Sequence, residues 1–467
     1  MIAPASAPAD AHAGSSVLPI AFVCSGCGHR LPDVAAPPLA CPMSVPGDDV
    51  DHVLSRAIEP AALRFPAGDE PNPFARYRTL LYGYHVARAD DRSDAEIVAR
   101  IEALDRAVAA VDGHGFSITP FATQPRLGRR LRLRDGGALW VKDETGNVSG
   151  SHKARHLFGA LLELELAGGG ADDTALAIAS CGNAALAAAV VARAAGRELR
   201  VFIPPDAPPT VVKRLEALEV RIEVCPRRPD EAGDPTYRRL LEVVSGGAVP
   251  FTCQGNLNAS AIEGGMTLGW ELVGALVAQH RALDHLVIQV GGGALASAVM
   301  QALDEARQLG AIGRLPRIHT VQTRGAHPLA RAHERLAAEL GPRPDAAAID
   351  DAVAEAARHR SRYMWPWEQE PRSVAHGILD DETYDWLAVV RGMLHSGGLP
   401  VVVDEATLRA ANRHARETTG IDVDHTGSSG LAGVMELMRD GVIGSTESTA
   451  VIFTGVRRES PANGGQP

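Results

Sequence analysis

From about residue 139 onward, short β-branched runs alternate with stretches of helical periodicity, and this alternation constrains the fold more than any other feature. The runs expected as strands are Leu139–Glu144, Ala175–Ser180, Leu199–Pro204, Arg221–Cys225, Val249–Gln254, His285–Val290, Arg317–Thr323 and Thr449–Thr454. The intervening pattern predicts helices over Ala154–Leu166, Ala184–Ala195, Thr210–Leu218, Thr236–Val244, Ile262–His280, Leu295–Leu309 and Glu405–Thr419. Leu157, Leu161 and Leu164 fall at i, i+4 and i+7, the stripe a packed helix needs. Alternation of this kind implies an α/β fold with mostly parallel sheets wrapped by helices. Such sheets bind ligands at the carboxyl ends of their strands, so the loops just after the strands are where chemistry is to be sought.

The chain has 467 residues, enough for two to three domains at roughly 100–200 residues each. With 45% hydrophobic and 22% charged residues, it can bury a large core. A net charge of −11 argues against nucleic acid, because counterion release needs clustered Lys and Arg. The apolar stretch from Thr174 to Gly196 carries Asn183 and Arg193 and does not read as a membrane span. No basic segment precedes an apolar one at the N-terminus, so no secretory signal is expected. Six Cys in this length do not make a disulfide scaffold. A cytoplasmic enzyme acting on a small molecule is the expectation. Residues 1 to about 20 are Ala-, Pro- and Ser-rich and are expected to be disordered. A Cys segment from Cys24 to Cys41 follows, and Pro66–Pro73 reads as a linker.

Three loops and one strand end carry candidate chemistry. After Leu139–Glu144 comes Thr145-Gly-Asn-Val-Ser-Gly-Ser151-His152-Lys153-Ala154-Arg155, rich in turn and capping residues. Lys153 is expected in the first helical turn, where the dipole disfavours an ammonium. A lysine kept neutral can form a Schiff base with a carbonyl cofactor. Taken alone, such a lysine is more often a solvated surface residue. After Ala175–Ser180, the stretch Ser180-Cys181-Gly182-Asn183-Ala184 opens a helix, and free N–H groups at a helix start bind anions such as a carboxylate. Asn183 can donate to a phenolate oxygen; on local sequence alone an ordinary Gly-Asn turn is the stronger reading. After His285–Val290, Gly291-Gly292-Gly293-Ala294-Leu295 can cradle a phosphate through backbone amides. Gly291, Gly293 and Ala296 also fit a dinucleotide fingerprint, but the next strand ends in Gln322-Thr323-Arg324, with no carboxylate for a ribose. Thr454, at the end of the last strand, offers a neutral hydroxyl to a ring nitrogen.

Together these stretches resemble the threonine synthase-like branch of the fold-type II pyridoxal-phosphate enzymes, the tryptophan synthase beta superfamily. That family carries a lysine, an acidic pair, an Asn-Pro-Thr-Gly-like turn and Ser-Phe-Lys-Asp-Arg. Here Lys142-Asp143-Glu144 and Asn147 to Arg155 stand in those places, with Val148-Ser149 for Pro-Thr, His152 for Phe and Ala154 for Asp. The resemblance implies two α/β subdomains with the active site in the cleft between them, the smaller one about residues 157–260 within a catalytic domain of residues 71–467. It implies pyridoxal 5′-phosphate on Lys153, with Asn183, Gly291, Gly292, Gly293, Ala294, Leu295 and Thr454 holding the cofactor. Substrate contacts are implied for Ser151, His152, Arg155, Ser180, Cys181, Gly182 and Ala184, with Arg155 and His152 as the expected cations for a substrate phosphate. Cys181 replaces the usual Ser and Ala184 the usual Thr, which changes substrate contacts. Two further segments fit: Ile262-Glu-Gly-Gly-Met-Thr-Leu268 and Asp424 to Gly433, the latter with His425 where Pro is usual.

The implied reaction is elimination or replacement at the β or γ carbon of an L-amino acid. Its leading form is conversion of O-phosphohomoserine to threonine plus phosphate. A serine or threonine dehydratase, a diaminopropionate ammonia-lyase and a non-catalytic cofactor-binding protein are the alternatives. A homodimer is the family habit. Residues 361–390 match no chemical pattern. Residues 1–70 form a tail whose Cys24-x2-Cys27 and Cys41 make three quarters of a zinc ribbon, with Ser44 at the fourth place. His29 or His52 is available as a substitute, but with one ligand missing the expectation is a knuckle with no metal.

Overall fold

The computed structural model describes residues 18–32, 37–45, 47–167, 174–227 and 234–458. Its strands in chain order are β1 (Ile20–Cys24), β2 (Leu54–Ile58), β3 (Phe121–Thr123), β4 (Ala138–Asp143), β5 (Leu176–Ala179), β6 (Leu199–Ile203), β7 (Arg221–Val224), β8 (Val249–Pro250), β9 (His285–Gln289), β10 (Arg317–Thr323), β11 (Pro400–Val403) and β12 (Ser448–Phe453). A six-stranded sheet runs β11-β10-β9-β12-β4-β3 and a four-stranded sheet runs β7-β6-β5-β8. Every pairing in them is parallel except that of the edge strand β3 with β4. The central strands read as continuous apolar runs because helices cover both faces; all five residues of β9 are buried.

The expected elements from residue 139 onward form, with one marked shortening. The strand expected over Val249–Gln254 is only Val249–Pro250, at the edge of its sheet; Val249 N and Phe251 N both donate to β5-side carbonyls, so the missing N–H of Pro250 falls on the open edge, where it costs no ladder bond. The four strands of the smaller sheet all lie between residues 176 and 250. Helix Lys153–Leu166 is buried along most of its length and crosses helix Ala259–Ala278 where Gly159 meets Gly264. A Cβ at either glycine would drive into the opposite backbone, so the crossing requires both.

The expected N-terminal disorder falls on residues 1–17, which lie outside the described residues, and on 18–20, where it is corrected. Leu18 and Ile20 are buried, and Ile20 begins a two-stranded antiparallel sheet with β2. Ile20, Phe22 and Leu54 share a core with Tyr82, Val86 and Ala259, and that burial orders the segment. No described helix is long and apolar enough to cross a membrane.

Candidate active site

Strands β9, β12 and β4 are neighbours in the large sheet, so the glycine loop, Thr454 and the Lys153 loop leave adjacent strand ends. The loop after β4 is shaped by a short turn at Val148–Gly150, in which buried Ser149 takes a left-handed φ of 56°. Ser149 N–H donates to Asp112 Oδ2 at 2.7 Å, which holds the turn. Ser151 bridges to Gly455, and His152 N–H donates to the Thr454 carbonyl at 3.1 Å. These bonds stitch the start of helix Lys153–Leu166 to the end of β12. Among the described residues, Lys153 Nζ makes no hydrogen bond or ion pair, and the side chain is half-buried.

Two other lysines exist in the chain, and their settings differ. Lys142 is fully buried, paired with Glu271 and donating to the Thr119 carbonyl at 2.8 Å. Lys213 is exposed on helix Pro209–Ala217.

Arg155 is where the expectation needs correcting. A residue meant to meet a substrate phosphate should be accessible, but Arg155 has no exposed surface. Its guanidinium donates to Glu144 at 2.8 and 3.0 Å, to Glu271 at 2.5 Å, and to Thr119 and Thr267 at 3.2 and 3.3 Å. Burial works against its charge, but the Glu144 and Glu271 carboxylates outweigh this and raise its pKa. Lys142, Arg155, Glu144 and Glu271 thus form a buried cluster of two cations and two anions. Nor is His152 a cation: burial first and the neighbouring Lys153 charge second push its pKa down to about 3. Its Nδ1 lies 3.3 Å from the Thr454 carbonyl, which fixes that nitrogen as the protonated one.

Thr454 is buried, and its hydroxyl accepts from Gln289 Nε2 at 2.9 Å. Its own hydrogen is therefore left to donate. Asn183 begins helix Asn183–Ala194 after β5. Its Oδ1 accepts from Arg458 Nε at 3.2 Å and Nη2 at 3.0 Å. A guanidinium only donates, so the amide orientation is fixed and Nδ2 is turned to Gly455. Ser180 Oγ accepts from Gly182 N at 3.3 Å, and Cys181, Gly182 and Ala184 are half-buried on the same helix start.

The segment without a sequence reading lies on the glycine loop. Thr383 Oγ1 donates to the Gly291 carbonyl and Asp385 N to the Gly292 carbonyl, both at 3.0 Å. Gly293 takes a φ of +99° and has Thr383 and Asp385 against it, so glycine is required there. The Asp380 carboxylate lies against Gly291 and Gly292. Burial pushes Asp380 up to about 6, with Lys153 and the Gly292 N–H pulling the other way. Burial likewise pushes Asp385 up to about 7, against Gly255 N–H and Lys153. Ala294 and Leu295 are buried at the start of the following helix, so their backbone N–H groups are what they can offer a ligand. Sequence reasoning missed Arg458, Gln289, Asp380 and Asp385, whose positions come from long-range contacts. A groove of about 940 Å³ beside Arg56, Gln301, Asp350 and Arg391 contains none of these residues.

Residues 114–455 match the family described as pyridoxal-phosphate dependent enzyme. A threonine synthase of Methanosarcina acetivorans is 24% identical over 344 residues, covering 73% of this chain and 75% of the relative. One from Synechocystis is 31% identical over 222 residues, covering 47% and 53%. Among solved structures, a threonine deaminase from T.th. shares the fold with a TM-score of 0.56 at 20% identity, over 77% of this chain and 97% of that one. Diaminopropionate ammonia lyase from Escherichia coli gives 0.56 at 16% identity, over 77% and 88%. The chain belongs to the fold-type II pyridoxal-phosphate dependent enzymes, and pyridoxal 5′-phosphate is its cofactor.

Proposed function

We propose that the protein is a lyase or synthase that eliminates or replaces a group at the β or γ carbon of an L-amino acid, with Lys153 as cofactor lysine and base. The observation that carries this is the unpartnered Lys153 amine at a helix start, beside the strand ends that bear the glycine loop and Thr454. The residues suit the cofactor. Gly291, Gly292 and Gly293 follow β9 at the start of a helix, where backbone N–H groups can take the oxygens of a phosphate. Thr454 has a hydrogen to give a pyridine nitrogen, and Asn183 an amide for the ring oxygen. When bound, the cofactor supplies an electron sink that makes the substrate α-proton removable. Lys153 Nζ takes that proton and returns it, and the N–H groups from Cys181 to Ala184 hold the substrate carboxylate.

The threonine synthase-like form leads, because the relatives named above are threonine synthases. A deaminating β-elimination is the second reading, favoured by one observation. The two expected phosphate ligands, Arg155 and His152, are buried, the first engaged by Glu144 and Glu271 and the second neutral, so neither is free to meet a phosphate leaving group. A homodimer and a cytoplasmic location belong to the same proposal.

The test supplies O-phosphohomoserine, threonine, serine and diaminopropionate separately and measures phosphate, ammonia and keto acid. Phosphate with threonine supports the leading form; ammonia with keto acid supports the second. No α-proton exchange with any of them in deuterated water defeats both and leaves a non-catalytic cofactor-binding protein. Separately, Gly292→Val is expected to weaken cofactor binding at least tenfold, about 1.4 kcal/mol. A Cβ at Gly292 already falls 3.1 Å from the Tyr384 ring, so a β-branched side chain there must displace that ring or the loop. Equilibrium titration by absorbance checks this; unchanged affinity counts against the glycine loop as phosphate site.

A further inference from the structure

The knuckle expected to lack a fourth ligand has one in the fold. Donor atoms of Cys24, Cys27, Cys41 and His52 all lie within 4.8 Å of one another. Cys27 Sγ and Cys41 Sγ are 3.7 Å apart, and Cys24 Sγ is 3.6 Å from His52 Nδ1. Four donors around a tetrahedral zinc, with zinc–sulfur near 2.3 Å and zinc–nitrogen near 2.0–2.1 Å, stand roughly 3.5–3.8 Å apart. A disulfide would need about 2.05 Å, and all six cysteines are free.

The histidine is turned for this role. His52 Nε2 lies 3.0 Å from Asp48 Oδ2. A carboxylate only accepts, so Nε2 carries the proton and the Nδ1 lone pair faces the thiols. A carboxylate behind a ligating imidazole is the usual way its ring is held. The cysteine pair sits on a tight turn at the end of β1, with Gly28 N–H donating to the Cys24 carbonyl at 2.9 Å and Cys24 N–H to the His29 carbonyl at 2.8 Å. His29 thus contributes its backbone to the turn, and the fourth donor comes from His52.

We propose that Cys24, Cys27, Cys41 and His52 bind one zinc ion, and that the ion fastens the N-terminal sheet to the catalytic body. Three thiolates and an imidazole in tetrahedral array select zinc over hard cations, and four protein ligands leave no open position for catalysis. The attachments run outward from the ligands. The Leu39 carbonyl, two residues before Cys41, accepts from Ala259 N at 2.9 Å, at the start of the helix that carries Glu271. Asp51, beside His52, donates its N–H to the Ala357 carbonyl at 2.7 Å and accepts from Arg360 Nε at 3.2 Å. Arg360 also pairs with Glu382, adjacent to the Thr383 that bonds the glycine loop. The site is independent of which amino acid the enzyme uses.

The test uses full-length holoenzyme. Metal analysis after expression in zinc-supplemented medium should give about one zinc per chain, and cobalt(II) exchange should give the intense visible bands of a tetrahedral thiolate site. Asp48 is exposed, so Asp48→Asn should fold normally and lower zinc affinity about 10–100-fold. Cys27→Ser and His52→Ala should lose the metal, and His29→Ala should keep it. Zinc removal should lower the thermal midpoint. Holoenzyme that holds substoichiometric zinc and takes up none on titration with zinc alone would overturn the proposal. So would iron in place of zinc, or wild-type zinc affinity in both Cys27→Ser and His52→Ala.

Discussion

Lys153→Ala should fold normally yet lose turnover by at least roughly 10²–10⁴-fold, the range carried by a positioned general base, with the covalent hold on the cofactor lost in addition. The fold should survive because the Lys153 side chain is half-buried and its amine has no partner among the described residues. Lys142→Ala should behave in the opposite way. Its ammonium answers Glu271 inside the core, so its removal should cost stability while leaving the cofactor attachment intact. Circular dichroism, absorbance and steady-state kinetics on the two variants separate these roles. Full activity in Lys153→Ala would contradict the assignment.

Arg155→Met is expected to destabilise the protein by about 3–5 kcal/mol, the usual cost of removing one partner of a buried ion cluster. Glu144 and Glu271 would be left facing each other without their shared cation. Changing Arg155 to Met and Glu271 to Gln together should cost less than the sum of the two single changes, since one uncompensated charge goes with the other. The denaturant midpoint measures this. A substrate-binding Arg155 predicts a different outcome: a raised KM with stability nearly unchanged.

Arg155 also shows where reading the chain stops. The placement of Lys153, the glycine loop and Thr454 after adjacent strands was legible because each is a short stretch tied to a strand. The role of Arg155 was not, because its partner Glu271 lies 116 residues away and Thr267 112. The contacts of Thr383 and Asp385 have the same character: no local pattern marks them, and the glycine loop they touch is about 90 residues earlier. Other elements carry clear local signals. Helix Asp94–Asp112 starts with a Ser93–Glu96 capping box, and β11 follows Gly397-Gly398 as Pro-Val-Val-Val. The choice between His29 and His52 could not be made from spacing, since it depends on β2 lying antiparallel to β1 and returning the chain to the cysteines.

The central claim is that one lysine of three holds the cofactor. Borohydride reduction of the holoenzyme makes the cofactor–lysine link permanent, and peptide mapping then locates it. The account predicts the added mass on the peptide containing Lys153, with Lys142 and Lys213 unmodified. A cofactor-loaded protein whose reduced label falls on Lys142 or Lys213, or on no lysine at all, would contradict it.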